Sequence, residues 1–217
     1  MRLQYTAHMI RTTLLLLISS FCAFAQDGWV SLFNGKDLSG WRVNENYQTF
    51  SVKDGAIVSN GPRSHCFYMG DVGKHDFKNF ELKVDVKTMP GSNGGIYFHT
   101  EYQDMSWPSK GFEVQVNNSH GDPIKSGSLY HVKDIGINDI KDIVKDGEWF
   151  TEHIVVKGNT VTISLNDKKV VEWTQPADWK GSPDFAERRI DHGTIAFQGH
   201  DPNSTVQYKN IQIKLLP

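Results

Sequence analysis

An all-β fold, an antiparallel sandwich or jelly roll, is what this sequence predicts, and three observations carry the prediction. Apolar and polar residues alternate with a period of two along most of the chain. Turn-forming pairs such as Asp54-Gly55, Pro90-Gly91, Gly158-Asn159 and Asn166-Asp167 interrupt that alternation at short intervals. Helical periodicity is nearly missing: the best candidate, Asp134–Val144, is weakened by Gly136.

Taken in order, the predicted strands are Phe50–Ser59, Phe80–Lys87, Gly95–Glu101, Phe112–Asn117 and Ser128–His131. Phe150–Lys157, Thr160–Leu165, Lys168–Trp173, Gly193–Gln198 and Val206–Leu215 complete the set. Each run is rich in β-branched or aromatic residues and ends at Gly, Asn, Asp or Pro. The segment from Thr151 to Trp173 reads strand, Gly-Asn turn, strand, Asn-Asp turn, strand, which is a three-stranded meander. Near the C-terminus, His200–Ser204 turns the chain into a closing strand with Ile211, Ile213 and Leu215 on one face. Many short strands at such spacing are the mark of a sandwich.

The first residues read as an export leader rather than structure. Arg2 and Arg11 precede the apolar run Leu14–Ile18, and Ala23-Phe24-Ala25 before Gln26 has the small-x-small form of a cleavage site. Bulky Phe21 before Cys22 disfavours a lipoprotein anchor, and Met9 is an alternative start. The expectation is a signal peptide over residues 1–25 and one domain over 26–217, exported to the periplasm or beyond. No run reaches the about 18 apolar residues of a spanning helix. The expected mature chain holds 21 basic against 25 acidic side chains, a net charge of −4. That balance excludes the basic patch that nucleic acid demands. Cys66 alone remains, so neither an internal disulfide nor a cysteine metal site can form. The oligomeric state leaves no trace.

Candidate chemistry begins at "KGFEVQVNNSH", Lys110–His120. Phe112, Val114 and Val116 share one face of an extended strand, and Glu113, Gln115 and Asn117 share the other. In "GGIYFHTEY" the same alternation puts Tyr97, His99 and Glu101 together. If the two strands pair antiparallel, cross-strand neighbours come within about 5 Å, and His99 and Glu101 join Glu113 and Gln115 in one polar cluster. The alternative is a hydrogen-bonded solvent face. His200-Asp201 reads as a turn in preference to a metal pair. HExxH, phosphate-loop and nucleophile-elbow motifs are missing. Asp and Asn side chains leave room for a divalent cation, but no ligand set assembles.

"FNGKDLSGW" at Phe33–Trp41, "NGGIYFH" at Asn93–His99, "GFEVQV" at Gly111–Val116 and "GTIAFQGHDPNSTVQYKNIQIK" at Gly193–Lys214 stand in one order. With "KGNTVTISLNDKKV" they resemble the bacterial secreted family of 3-keto-disaccharide hydrolase domains, over nearly the whole expected mature chain. The resemblance implies a concanavalin-A-like sandwich of two curved sheets with carbohydrate on the concave face. It implies cleavage of glycosides whose sugar is oxidised at carbon 3. Laminarinase-type enzymes of that superfamily carry acidic residues at i, i+2 and i+4 of one strand; here only Glu113 is acidic. A sugar-binding role adds Trp107, Tyr130 and His131 as stacking or bonding groups beside Tyr97, Gln115 and Asn117. Glu113, His99 and Glu101 become the expected catalytic set. A base-assisted elimination beside a C3 ketone needs only one base. Two alternatives remain: a noncatalytic carbohydrate-binding module, and a two-carboxylate glycosidase using Glu101 with Glu113.

Overall fold

The computed structural model describes residues 26–181 and 185–217. The expected leader at 1–25 lies outside the described residues. Two antiparallel sheets face each other. The larger, of eight strands, runs β11 (Lys168–Thr174), β10 (Thr160–Leu165), β9 (Phe150–Lys157), β6 (Phe80–Thr88), β13 (Val206–Leu215), β4 (Ala56–Ser59), β3 (Phe50–Lys53), with β1 (Trp29–Ser31) also paired to β13. The smaller runs β2 (Trp41–Val43), β5 (Ser64–Tyr68), β12 (Thr194–Gly199), β7 (Gly94–Thr100), β8 (Phe112–Val116). One short helix, α1, spans Ile137–Ile140 within the stretch the sequence offered as a helix. Among the described residues no helix is long and apolar enough to cross a membrane.

Alternation does the sorting. On β6, Phe80, Leu82, Val84 and Val86 are fully buried while the residues between them are half-exposed. β9 and β10 repeat that pattern, and the meander β9–β10–β11 forms as the sequence predicts. From the smaller sheet Ile96, Phe98, Phe112, Val114, Val116 and Phe197 point into the same core. Burial at roughly 1.5–3 kcal/mol per large apolar side chain drives the two sheets together.

Some expected elements differ. Phe50–Ser59 is two strands, β3 and β4, because Asp54 (φ 50°) and Gly55 (φ 75°) turn the chain between them. Ser128–His131 is no strand; it runs beside β8 through Gln115 N–H to Ser128 carbonyl at 3.0 Å and Tyr130 N–H to Glu113 carbonyl at 2.9 Å. β5 escapes the periodicity because it carries apolar residues on both faces, Cys66 and Tyr68 toward the core and Phe67 against Tyr97 and Ala196 on the outer face. A strand apolar on both faces shows no alternation.

Candidate active site

The outer face of the smaller sheet, away from the core, carries the site. Register alone lays down one row across it: Phe67 opposes Ala196, Ala196 opposes Tyr97, and Tyr97 opposes Glu113. Gly95, two residues before Tyr97, faces Gln115. The absence of a side chain there matters, since a Cβ on Gly95 would sit 2.5 Å from Glu113 Oε1. Glycine therefore leaves the space that the Glu113 carboxyl occupies.

Glu113 is held from three directions. Tyr97 donates its hydroxyl to Oε2 at 2.8 Å, and Gln198 donates Nε2 to Oε1 at 2.7 Å. The Arg188 guanidinium lies 3.5 Å from Oε2, with both side chains almost fully buried. Burial raises the carboxyl's pKa above the usual range, against the opposing pull of Arg188, Tyr97 and Gln198. Tyr97 is pushed well above its own ordinary value by burial and by the Glu113 charge. The arrangement is a fixed, partly desolvated carboxyl of heightened basicity.

A cavity of about 460 Å³, counting its open mouth, lies over this carboxyl. Tyr97, Gln115 and Gln198 form part of its floor. Trp107, Tyr130, Phe185, Arg188, His200 and Asn93 come from the surrounding loops and strand ends. Arg188 reaches it from the connection between β11 and β12: its carbonyl accepts from Trp179 Nε1 at 2.7 Å, and its own Nη1 donates to the Tyr130 carbonyl at 2.5 Å. Phe185 packs 3.8 Å beneath the guanidinium carbon. Two buried carboxamide oxygens on the lining, Asn93 Oδ1 and Gln198 Oε1, have no hydrogen-bond partner among the described residues. Buried acceptors in that state suit a ligand rich in hydroxyl donors.

Trp107 is 38% exposed and stands as a wall of the cavity. Its loop is clamped by Gln103, whose Nε2 donates to the carbonyls of Met105 (2.6 Å) and Trp107 (2.9 Å). Glu45 accepts from the Ser106 amide at 3.1 Å and pairs with Arg63 through bonds of 2.9 and 3.0 Å. The ring is thus fixed before any ligand arrives.

Of the residues predicted for the site, Glu113, Gln115, Tyr97, Trp107 and Tyr130 meet at the cavity. His99 and Glu101 do not. The pairing of β7 with β8 ends at Phe98–Phe112, and His99 takes a positive φ of 53° where Gly111 and Gly193 crowd its backbone. That kink breaks the alternation and turns the His99 ring onto Phe80 and Phe98. Its Nε2 donates to the Lys78 carbonyl at 2.9 Å and its Nδ1 accepts from the Asp191 amide at 3.1 Å. Burial drives its pKa down to about 4. Glu101 is exposed and faces Lys110 at 3.7 Å. Asn117 is buried but spent on its own loop: it donates to the carbonyls of Asp122 and Ile124 and accepts from the His120 amide. His131 is exposed and stacks on Phe185 behind the cavity wall. Among the described residues no set of three or more His, Cys, Asp or Glu side chains is arranged to hold a metal ion.

Asn93, Phe185, Arg188, Gln198 and His200 are site residues that the sequence reading leaves out. Gln198 had a signal, a lone amide in the apolar run "TIAFQG". Arg188 had none, because an irregular connection carries no periodicity. His200 sits in the predicted turn, closed by the Ser204 amide on the Asp201 carbonyl, and also lines the cavity.

Comparison with known proteins follows the same lines. A family model described as the 3-keto-alpha-glucoside-1,2-lyase-like domain matches residues 28–214. A Bacteroides thetaiotaomicron protein named 3-keto-disaccharide hydrolase is 27% identical, the match covering 88% of this chain and 79% of the relative. A Parabacteroides distasonis structure, of a protein proposed to be a glycosyl hydrolase, has a TM-score of 0.71 at 25% identity, covering 88% of this chain and 95% of that one. A second such Parabacteroides distasonis structure gives 0.64 at 26% identity, covering 87% and 99%. A Bacillus subtilis protein with a galectin-like fold shares the sandwich alone, at 8% identity and a TM-score of 0.51 over 82% of this chain and 90% of that one.

Proposed function

This chain belongs to the 3-keto-alpha-glucoside-1,2-lyase-like domain family, and from that premise we propose that it is a glycoside hydrolase whose substrates carry a ketone at carbon 3. One observation carries the reading: Glu113 is the only Asp or Glu among the described lining residues of the cavity. A two-carboxylate glycosidase needs a second carboxyl at about 5–5.5 Å or 6.5–9.5 Å. Glu101, the sequence's candidate for that partner, is paired with Lys110 outside the cavity.

A ketone at carbon 3 removes the need for the partner, because it acidifies the proton on carbon 2. Glu113 takes that proton, and the electron pair moves onto the carbon 3 oxygen as an enolate. Arg188, whose guanidinium borders both Glu113 and the cavity, supplies positive charge for the enolate. Return of the electrons forms the carbon 1–carbon 2 double bond and expels the glycosidic oxygen. Addition of water to the resulting enone completes a net hydrolysis. Asn93 Oδ1 and Gln198 Oε1 accept hydrogen bonds from sugar hydroxyls, and Trp107 offers an apolar face to the ring. A base works best with a pKa near the working pH, and burial moves Glu113 in that direction.

Paired 3-keto and unoxidised disaccharides test the reading. Cleavage of the oxidised member alone is expected, with Glu113→Gln folded and its kcat/KM lowered at least about 100-fold. Cleavage of both members at similar rates would identify an ordinary glycosidase. Sugar affinity without turnover would identify a binding module. The proposal also takes the protein as exported, on the leader-like residues 1–25. A mature N-terminus at Gln26, read by mass spectrometry, is the expected outcome.

A further inference from the structure

The hairpin tip after β12 brings an acid–base pair to the cavity that the elimination scheme has not used. His200 lines the cavity beside Trp107, with ring centroids 5.4 Å apart. Its Nδ1 lies 2.8 Å from Asp201 Oδ2. Asp201 is itself fixed, since Oδ2 also accepts from the Ser204 hydroxyl at 2.7 Å and Oδ1 accepts from the Asn203 amide at 2.8 Å. Ser204 Oγ in turn accepts from the backbone amide of Asn93, another lining residue, at 2.9 Å. Burial opposes ionisation of Asp201, but the bonds from His200, Ser204 and Asn203 hold its carboxyl below the usual range.

A carboxylate can only accept, so His200 Nδ1 carries a proton. Nε2 makes no hydrogen bond within the described chain. The imidazole is therefore fixed in orientation by a third group with its reactive nitrogen unoccupied, the arrangement by which a histidine is prepared for proton transfer. Other lining groups serve less well. The Tyr97 hydroxyl is committed to Glu113, and burial raises Tyr130 to about 12.

We infer that His200, positioned by Asp201, is the general acid that protonates the departing glycosidic oxygen; this rests on the 3-keto elimination proposed above. In the first half, Glu113 removes the carbon 2 proton. As the carbon 1–oxygen bond breaks, that oxygen keeps the bonding pair and receives the Nε2 proton of imidazolium. The products are an alcohol, the enone, protonated Glu113 and neutral His200. In the second half, water attacks carbon 1 and gives its proton to His200 Nε2. Glu113, its proton exchanged with the entering water in the meantime, protonates carbon 2 of the enolate so formed. Both side chains regain their starting states, and one water is consumed per bond cleaved.

Leaving-group dependence tests this. A set of 3-keto glucosides is prepared with leaving groups from 4-nitrophenol, which departs without a proton, to simple alkanols, which require one. His200→Gln and Asp201→Asn are compared with the unaltered protein, their folding checked by circular dichroism. His200→Gln is expected to lose about 100-fold or more in kcat/KM on the alkyl substrates, and at least tenfold less than that on the nitrophenyl one. Asp201→Asn, a positioning change, is expected to show a smaller loss with the same slope. Equal losses on all leaving groups would overturn the assignment while leaving the elimination intact. Failure of the unaltered protein to cleave any 3-keto glucoside would remove the elimination reading, and the acid with it.

Discussion

Glu152 on β9 shows what one misplaced charge does to this core. It is fully buried between the sheets, and neither carboxyl oxygen has a hydrogen-bond partner among the described residues. Burial raises its pKa from 4.5 to about 8. The folded state therefore keeps a proton that the unfolded state releases above 4.5, so stability falls as pH rises from that value toward about 8. Glu152→Gln, neutral at every pH, should flatten that decline and raise Tm near pH 8 by on the order of 5 °C. Thermal scans at pH 5 and pH 8 decide it: equal decline in both proteins would show that Glu152 is not the cause. Glu113 is raised by burial too, but there the charge has Arg188, Tyr97 and Gln198 to meet it. If it is the base, kcat/KM falls on acidification through a pKa above the ordinary carboxylate range.

At the level of elements, β7 decides which side chains meet. Its pairing with β8 sets Tyr97 against Glu113, and this much is legible, since two alternating runs joined by a loop pair antiparallel. The kink at His99 is not legible. It depends on Gly111 and Gly193, distant in sequence, pressing on one peptide. Period-two counting therefore carries His99 and Glu101 to the wrong place. Gly95 leads to a sharp prediction. Its backbone tolerates alanine, but the added methyl would meet Glu113. Gly95→Ala should fold, yet lose about 100-fold in kcat/KM on a 3-keto glycoside, the scale of a 1 Å misplacement. Unchanged kinetics would mean the carboxyl's position is not critical. Asn117→Ala should instead cost about 1–3 kcal/mol of stability in denaturant titration, because the buried amide's bonds to the Asp122 and Ile124 carbonyls and from the His120 amide are lost together.

For the whole molecule, one sheet is a rigid support whose outer face, roofed by loops, becomes the site. The sandwich itself is plain from alternation and turns, since half-buried strands must alternate. The roof is not, because Trp179, Phe185 and Arg188 lie on a connection where residue type follows tertiary contact rather than period. This division leaves the catalytic claim resting on a floor residue, Glu113, whose face is fixed by strand register. The most direct check is turnover of a 3-keto glucoside in deuterated water with the product read by NMR. The account predicts one solvent deuteron at carbon 2 of the released 3-keto sugar, above an enzyme-free control. Cleavage with the original carbon 2 proton retained would contradict it.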